Sequence, residues 1–376
     1  MLSADDTPTP LSPAAESDQH KLLRGATSST TTTPFKAPPQ FRRADSSILA
    51  QRKREQLAAQ PVGVAFAPSS WISSLSILRE TIVDRVLYRP WLVLTLATAV
   101  FCGISTAAGG GVMLGPDVPM GVGVTMSLLL GFRLNVSYQR WWEGRLLWGD
   151  VTVSTRSLMT LLLSTAPPRA ATPPPGGGVL PPTAAQQAAG WLLAFATCLK
   201  RRLRDQPSEL DSESPAARLL GAAAAARLLR SAHPPLHALC ALRAALAAAG
   251  ATLRPHELTS FELTALQYTH RLHVAMTGCE RISRTPCPPG YVAVLRLVIL
   301  VFLFLLPPVL LDELGLWTVV VVSATAFILF AAEQVAVQIE MPFGHDSNDL
   351  PLDSLCVALE ADVLTLLDEF EAAADD

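Results

Sequence analysis

Oxygen donors crowd one stretch of the chain, Met341-Pro342-Phe343-Gly344-His345-Asp346-Ser347-Asn348-Asp349-Leu350-Pro351. Asp and Asn at this density can ligate a hard cation such as calcium, which takes several oxygens. The same residue types also start helices and close turns, because their short side chains accept backbone N–H bonds. The spacing is not that of an EF-hand loop, and the closing Glu is missing. The turn or cap is therefore the preferred reading. His233 and His237 stand four apart, but Pro234 and Pro235 lie between them and spoil the helical geometry a metal pair needs. Six cysteines (102, 198, 240, 279, 287 and 356) include no Cys-x-x-Cys pair and fit reduced, buried thiols. Arg296 lies within a long apolar run, which Pro307-Pro308 breaks further on. An ionisable residue there is functional or paired, unless it snorkels to the interface.

The elements that must position these residues are apolar. The chain has 376 residues, 50% hydrophobic and only 16% charged. Its mean hydropathy is +0.33. A soluble domain carries roughly a quarter charged residues, so an integral membrane protein is expected. The net charge of −3 gives no basic excess for nucleic acid. Four spans are predicted, at about 91–108, 119–135, 291–311 and 314–332, each long and apolar enough to cross a bilayer. Arg79, Arg85, Arg89, Arg140 and Arg145 flank the first hairpin at its open end, while the Gly-rich loop 109–118 has no basic residue. The positive-inside rule then places both termini inside.

Residues 1–70, rich in Pro, Ser and Thr, read as a disordered tail. Its Ser/Thr and Arg content also suits an organelle transit peptide, against which Asp5, Asp6 and Glu16 count. Trp71 to Arg89 reads as an interfacial amphipathic helix, and 166–182, rich in Pro and Gly, as a flexible insertion. Residues 184–204 and 215–251 read as cytosolic Ala/Leu/Arg helices, 256–283 as a further long helix, and Gly149 to Thr165 as a separate inner helix.

The second span carries two ridges at a spacing of four. Gly123, Ser127 and Gly131 are small, which lets a neighbouring backbone approach closely. Val124, Leu128 and Phe132 are bulky and lie about 100° round the helix. The bulky ridge faces lipid or core or, if several copies surround an axis, stacks into a hydrophobic constriction. A membrane-embedded enzyme would need paired carboxylates or a His cluster within the spans, and the sequence offers neither.

Three ordered segments resemble the bestrophin family of anion channels, in its plant, algal and bacterial branch. They are Gly131-Phe132-Arg133 through Arg140-Trp141-Trp142-Glu143 with Trp148-Gly149; Arg284-Thr285-Pro286 with Pro288 and Tyr291; and Pro342-Phe343-Gly344 with Asp346, Asn348 and Asp349. The resemblance covers about 71–376. It implies an all-α homopentamer of four-span subunits with a cytosolic helical bundle and one axial pore passing chloride or bicarbonate. It maps a hydrophobic neck onto Val124, Leu128 and Phe132, and a cytosolic constriction near Thr259, Ser260 and Leu263. In animal members the acidic segment after the fourth span binds calcium. Asp346 and Asp349 match its acidic ligands, and Gln338 matches a backbone ligand position. Here His345, Ser347 and Asn348 interrupt the acidic run, which predicts a channel that does not need calcium.

An apolar neck offers no charge, so the sign preference must come from elsewhere. Arg133, Arg296 and helix termini are the candidates. In a photosynthetic cell such a channel would balance charge across the thylakoid or supply it with bicarbonate. The plasma membrane or another membrane is the alternative, and a non-conducting scaffold the competing function.

Overall fold

Proline and glycine punctuation sets the helix boundaries of this chain. The computed structural model describes residues 88–109, 114–165, 183–207, 209–211, 214–251 and 253–375. The tail 1–70, most of the expected interfacial helix (71–87) and the insertion 166–182 lie outside these residues. All described residues fall within one unit, Leu49–Asp376.

Eleven helices and no strand occur among the described residues. They are α1 (Tyr88–Ala107), α2 (Asp117–Thr165), α3 (Ala184–Leu203), α4 (Pro215–Leu220), α5 (Ala222–Leu229), α6 (Pro234–Gly250), α7 (Pro255–Arg284), α8 (Pro289–Leu305), α9 (Pro307–Leu314), α10 (Trp317–Glu340) and α11 (Leu352–Asp375). Proline opens five of them, α4, α6, α7, α8 and α9, where its missing N–H costs no bond. Four units are long and apolar enough to cross a membrane: α1, α2, α8 with α9, and α10. They correspond to the four expected spans.

The helices differ from the expected elements in two places. α2 is one 49-residue helix, about 74 Å long at 1.5 Å per residue. It does not stop near Asn135 and restart at Gly149, because no proline follows Pro119 within it. The expected helix 215–251 is three helices. Gly221 breaks it at φ 76°, and Pro234-Pro235 breaks it again. The third span bends where α8 gives way to α9 at Pro307-Pro308, since neither proline can donate to the preceding turn.

Two cores flank a junction. Leu94, Met126, Leu130, Leu295, Ile299 and Leu303 pack the membrane core. Trp148, Leu158, Phe195, Leu239, Phe261 and Leu272 belong to the second, larger one. α2 supplies residues to both, so it is the rod on which the subunit is built. In the membrane half, Trp91 Nε1 donates to the Ser323 carbonyl at 2.9 Å and Thr95 meets Ser323 hydroxyl to hydroxyl at 3.1 Å, holding α1 on α10. In the other half α3 is the centre. It starts in a capping box between Thr183 and Gln186 and is buried almost along its length.

Candidate functional site

One side of α2 is left bare by the subunit's own packing. Val124, Leu128 and Phe132 are 65%, 58% and 55% exposed, although they sit mid-helix in the membrane half. Their neighbours Met126, Leu130 and Arg133 are buried in the subunit. The predicted ridge therefore exists as a continuous apolar surface. Below it on the same side, Asn135 and Gln139 are also exposed, and Gln139 Nε2 donates to Asn135 Oδ1 at 3.4 Å.

The small-residue ridge divides. A Cβ on Gly123 would stand 2.9 Å from the Phe302 ring, so Gly123 serves close packing of α2 on α8 inside the subunit. Nothing lies within 4 Å of a Cβ built at Gly131, and Ser127 is exposed. Only Ser127 and Gly131 remain available to a second copy.

A buried knot lies where the two cores meet. Arg133, 1% exposed, donates from Nη2 to Glu340 Oε2 at 2.5 Å. Glu340 Oε1 accepts the backbone N–H of Cys287 at 2.5 Å. Two turns further along α2, Arg140 donates to three carbonyls: Glu340 at 3.1 Å, Thr285 at 2.9 Å and Ile282 at 2.7 Å. These close the C-terminal ends of α7 and α10, whose last carbonyls have no partner within the helix. Trp141 Nε1 donates to the Asn348 carbonyl at 2.9 Å. Gly144 leaves room for Pro342 and Phe343, each of which would be 3.1 Å from a Cβ there. Two segments, each more than 130 residues further along the chain, thus meet round one stretch of α2.

With that stretch they are the three segments of the sequence resemblance. The family model described as Bacterial/Fungal Bestrophin protein matches residues 64–365. The chain belongs to the bestrophin family. Among its bestrophin relatives, a voltage-dependent anion channel-forming protein of Nostoc sp. is 32% identical over 67% of this chain and 76% of that protein. The voltage-dependent anion channel-forming protein YneE of Escherichia coli is 30% identical over 67% of this chain and 77% of that protein. A variant of the bacterial bestrophin homologue from Klebsiella pneumoniae has the same fold, with TM-score 0.62 and 25% identity over 76% of this chain and 100% of that one. The bestrophin assignment joins the apolar helices in making this a membrane protein, and the family and these relatives are channels rather than enzymes.

The two candidate anion-attracting arginines are both paired, the outcome that the apolar setting of Arg296 already offers as an alternative. Arg133 points away from the bare side of α2, and its charge is met by Glu340. Arg296 donates from Nε and Nη2 to Glu333 Oε1 at 2.9 and 2.8 Å. Its side chain is 55% exposed, beside a cleft of about 240 Å³ walled by Pro90, Ile299, Leu300, Phe330 and Gln334. Neither arginine is a bare cation. Sequence reasoning missed both carboxylate partners, yet a signal was present. Glu333 and Glu340 are seven apart at the end of the fourth span, hence on one face, and Arg296 required a partner.

Thr259, Ser260 and Leu263 are all exposed on α7, Leu263 by 65%. The His pair is not a metal site. His233 caps α6, its Nδ1 accepting from the Leu236 N–H, while the His237 ring lies against Trp191 at 6.1 Å. All six cysteines are free. Cys102, Cys198 and Cys279 are buried as expected, but Cys240 is exposed and Cys287 and Cys356 are half-buried. Burial pushes the Cys279 thiol up to about 12, which leaves it inert.

The oxygen-rich segment is a turn. Asp349 Oδ2 accepts the Asp346 N–H at 2.8 Å, and the Leu350 N–H closes on the Pro342 carbonyl at 2.8 Å. Gln338 is already engaged, its side-chain oxygen by Asn348 Nδ2 at 2.7 Å and its carbonyl by the Met341 N–H at 3.3 Å. Asp346 is exposed. Among the described residues no three His, Cys, Asp or Glu side chains gather to hold a metal. Calcium takes 6–8 oxygens, and these donors do not assemble such a cage.

Burial raises the Asp349 carboxyl to about 7. The neighbouring Asp346 charge adds to the rise, while the Asp346 N–H and Arg204 oppose it. A raised carboxyl favours the protonated folded form. The stability it contributes is full below the unfolded value near 3.8 and is lost as pH rises through about 7. Asp349→Asn keeps the acceptor and removes the titration. The fall in thermal midpoint between pH 5 and pH 8 is therefore expected to shrink in this variant, as read by a melting series in detergent. An unchanged fall would show that Asp349 ionises freely.

Proposed function

We propose that the chain is one subunit of a homopentameric anion channel whose axis is lined by the bare side of α2. The observation that carries this reading is the uninterrupted exposed ridge of Val124, Leu128 and Phe132 in the middle of a membrane helix. The anion channel formation for which the relatives are named supports it. Stacked round an axis, three apolar rings favour weakly hydrated ions and close by dewetting. Chloride is the expected ion, with bicarbonate as a second. Thr259, Ser260 and Leu263 form a lower constriction on α7 in this reading. The thylakoid remains the preferred membrane, on the Ser/Thr and Arg content of the N-terminal tail alone.

Purified full-length protein in a planar bilayer under a KCl gradient tests the function. A reversal potential near that of chloride is expected, and an electrically silent bilayer would favour a scaffold. The currents are also expected to persist in chelator, because the Asp346–Asp349 turn lacks a cage. Currents that vanish with chelator and return with added calcium would overturn this.

Gly131→Leu tests the assembly. Inside the subunit a Cβ there meets nothing within 4 Å. The variant subunit is expected to fold and melt normally but to lose the oligomer band on native gels. A wild-type-sized complex would remove Gly131 from the subunit contact.

A further inference from the structure

The neck carries no charge, and both arginines expected to supply one are paired with carboxylates. The preference for anions must therefore arise from groups that face the ion path. Polar side chains of α2 next to the neck are mostly engaged elsewhere. Arg133 is bonded to Glu340, Arg140 to three carbonyls and Trp141 to Asn348, and Ser137 is buried. Ser127, Asn135, Tyr138 and Gln139 are exposed, and of these four only Asn135 and Gln139 share the direction of the neck ridge, as their place round the helix shows.

Their direction matches the neck. At about 100° per residue, with Val124 at zero, Leu128 and Phe132 stand at about 40° and 80°. Asn135 and Gln139 fall at about 20° and 60°, astride the middle of the ridge. Arg133 and Arg140 fall at about 180° and 160°, on the far side. Along the axis Asn135 lies about 4.5 Å below Phe132, and Gln139 about 10.5 Å below.

Their hydrogen bond gives the pair a polarity. Gln139 Nε2 donates to Asn135 Oδ1 at 3.4 Å. An asparagine amide has one acceptor oxygen and two N–H donors. Asn135 offers its oxygen to Gln139, so its NH₂ group is the end left for an ion. The bond leaves three N–H of the pair free against one unshared oxygen, that of Gln139, so donors for an anion predominate.

We infer that Asn135 and Gln139 are the residues that set ion sign, forming a ring of neutral N–H donors at the cytosolic foot of the neck. The inference rests on the axis proposed above. A small monovalent anion leaving the apolar rings meets these donors while its hydration shell is incomplete. Neutral donors hold it less firmly than a bare arginine would, so it can leave again, as conduction requires.

The test is the chloride-to-potassium permeability ratio of reconstituted full-length protein, from reversal potentials in a KCl gradient. Asn135→Asp and Gln139→Glu keep shape and replace donors with charged acceptors. Asn135→Leu removes the donors without adding charge. Loss of a hydrogen bond to an ion is worth roughly tenfold, so the ratio is expected to fall about that much in Asn135→Leu and further in the acidic variants. Native gels establish that each variant assembles. The neck variant Val124→Ala/Leu128→Ala/Phe132→Ala is run beside them. If it alters conductance while Asn135→Asp and Gln139→Glu keep the wild-type ratio, the inference is overturned and the axis stands. If conductance and ratio are unchanged in every variant, the axis itself is wrong, and the inference goes with it.

Discussion

Alanine at Val124, Leu128 and Phe132 together is expected to raise single-channel conductance several-fold, or to leave the channel open where wild type closes. All three side chains are exposed in the subunit, so truncating them opens no cavity in its cores. What they lose is contact with whatever fills the space beside α2. If that space is the pore, three narrow apolar rings become wider and less able to exclude water. Each 1.4 kcal/mol or so removed from the barrier to an ion is about tenfold in rate. The anion preference should survive, because it does not reside in the apolar rings. Leu129→Ala is the control. Leu129 packs on the membrane core, so its truncation should lower stability without widening the path. Triple-alanine channels that conduct and close like wild type would place the ridge against lipid or a neighbouring subunit.

The spans and the ridge were legible because they depend on local pattern. Apolar length gives a membrane helix, and a repeat of four keeps Val124, Leu128 and Phe132 on one side. The kink at Pro307-Pro308 was legible for the same reason. The pairings were not, because they join residues far apart in sequence. Arg133 and Glu340 are 207 positions apart, and Arg296 and Glu333 are 37. Both arginines were read as anion attractors because a sequence displays the charge without its partner. Gly123 shows the same limit. Its spacing places it in a subunit contact, yet Phe302 of the same chain fills that space. The oxygen-rich turn illustrates the converse. Its residue types suit a cation, but hydrogen bonds to Asn348, the Asp346 N–H and the Met341 N–H occupy the oxygens.

Breaking the junction is expected to cost the subunit more than any other single change. Glu340→Ala leaves the Arg133 guanidinium, 1% exposed, without its counter-ion, and the Cys287 N–H without its acceptor. Removing one partner of a buried ion pair costs about 3–5 kcal/mol, because the remaining charge stays desolvated. For a chain of this size that corresponds to a fall of roughly 5–15 °C in melting temperature. The pair itself need not be stabilising relative to an apolar replacement, since burying both charges carries its own penalty. Arg133→Met with Glu340→Gln tests that distinction. It removes both charges, keeps much of the volume, and leaves an amide oxygen for the Cys287 N–H. The backbone bond from Arg140 to residue 340 survives in both variants. The double variant should therefore recover most of the stability lost by Glu340→Ala, measured as the detergent melting temperature of the assembled protein. Two results would show that Arg133 reaches solvent in the assembly: Glu340→Ala melting with wild type, or the double variant melting no higher than Glu340→Ala. Either would return Arg133 to the ion path, and the sign of the permeant ion would then rest on that arginine rather than on the amides below the neck.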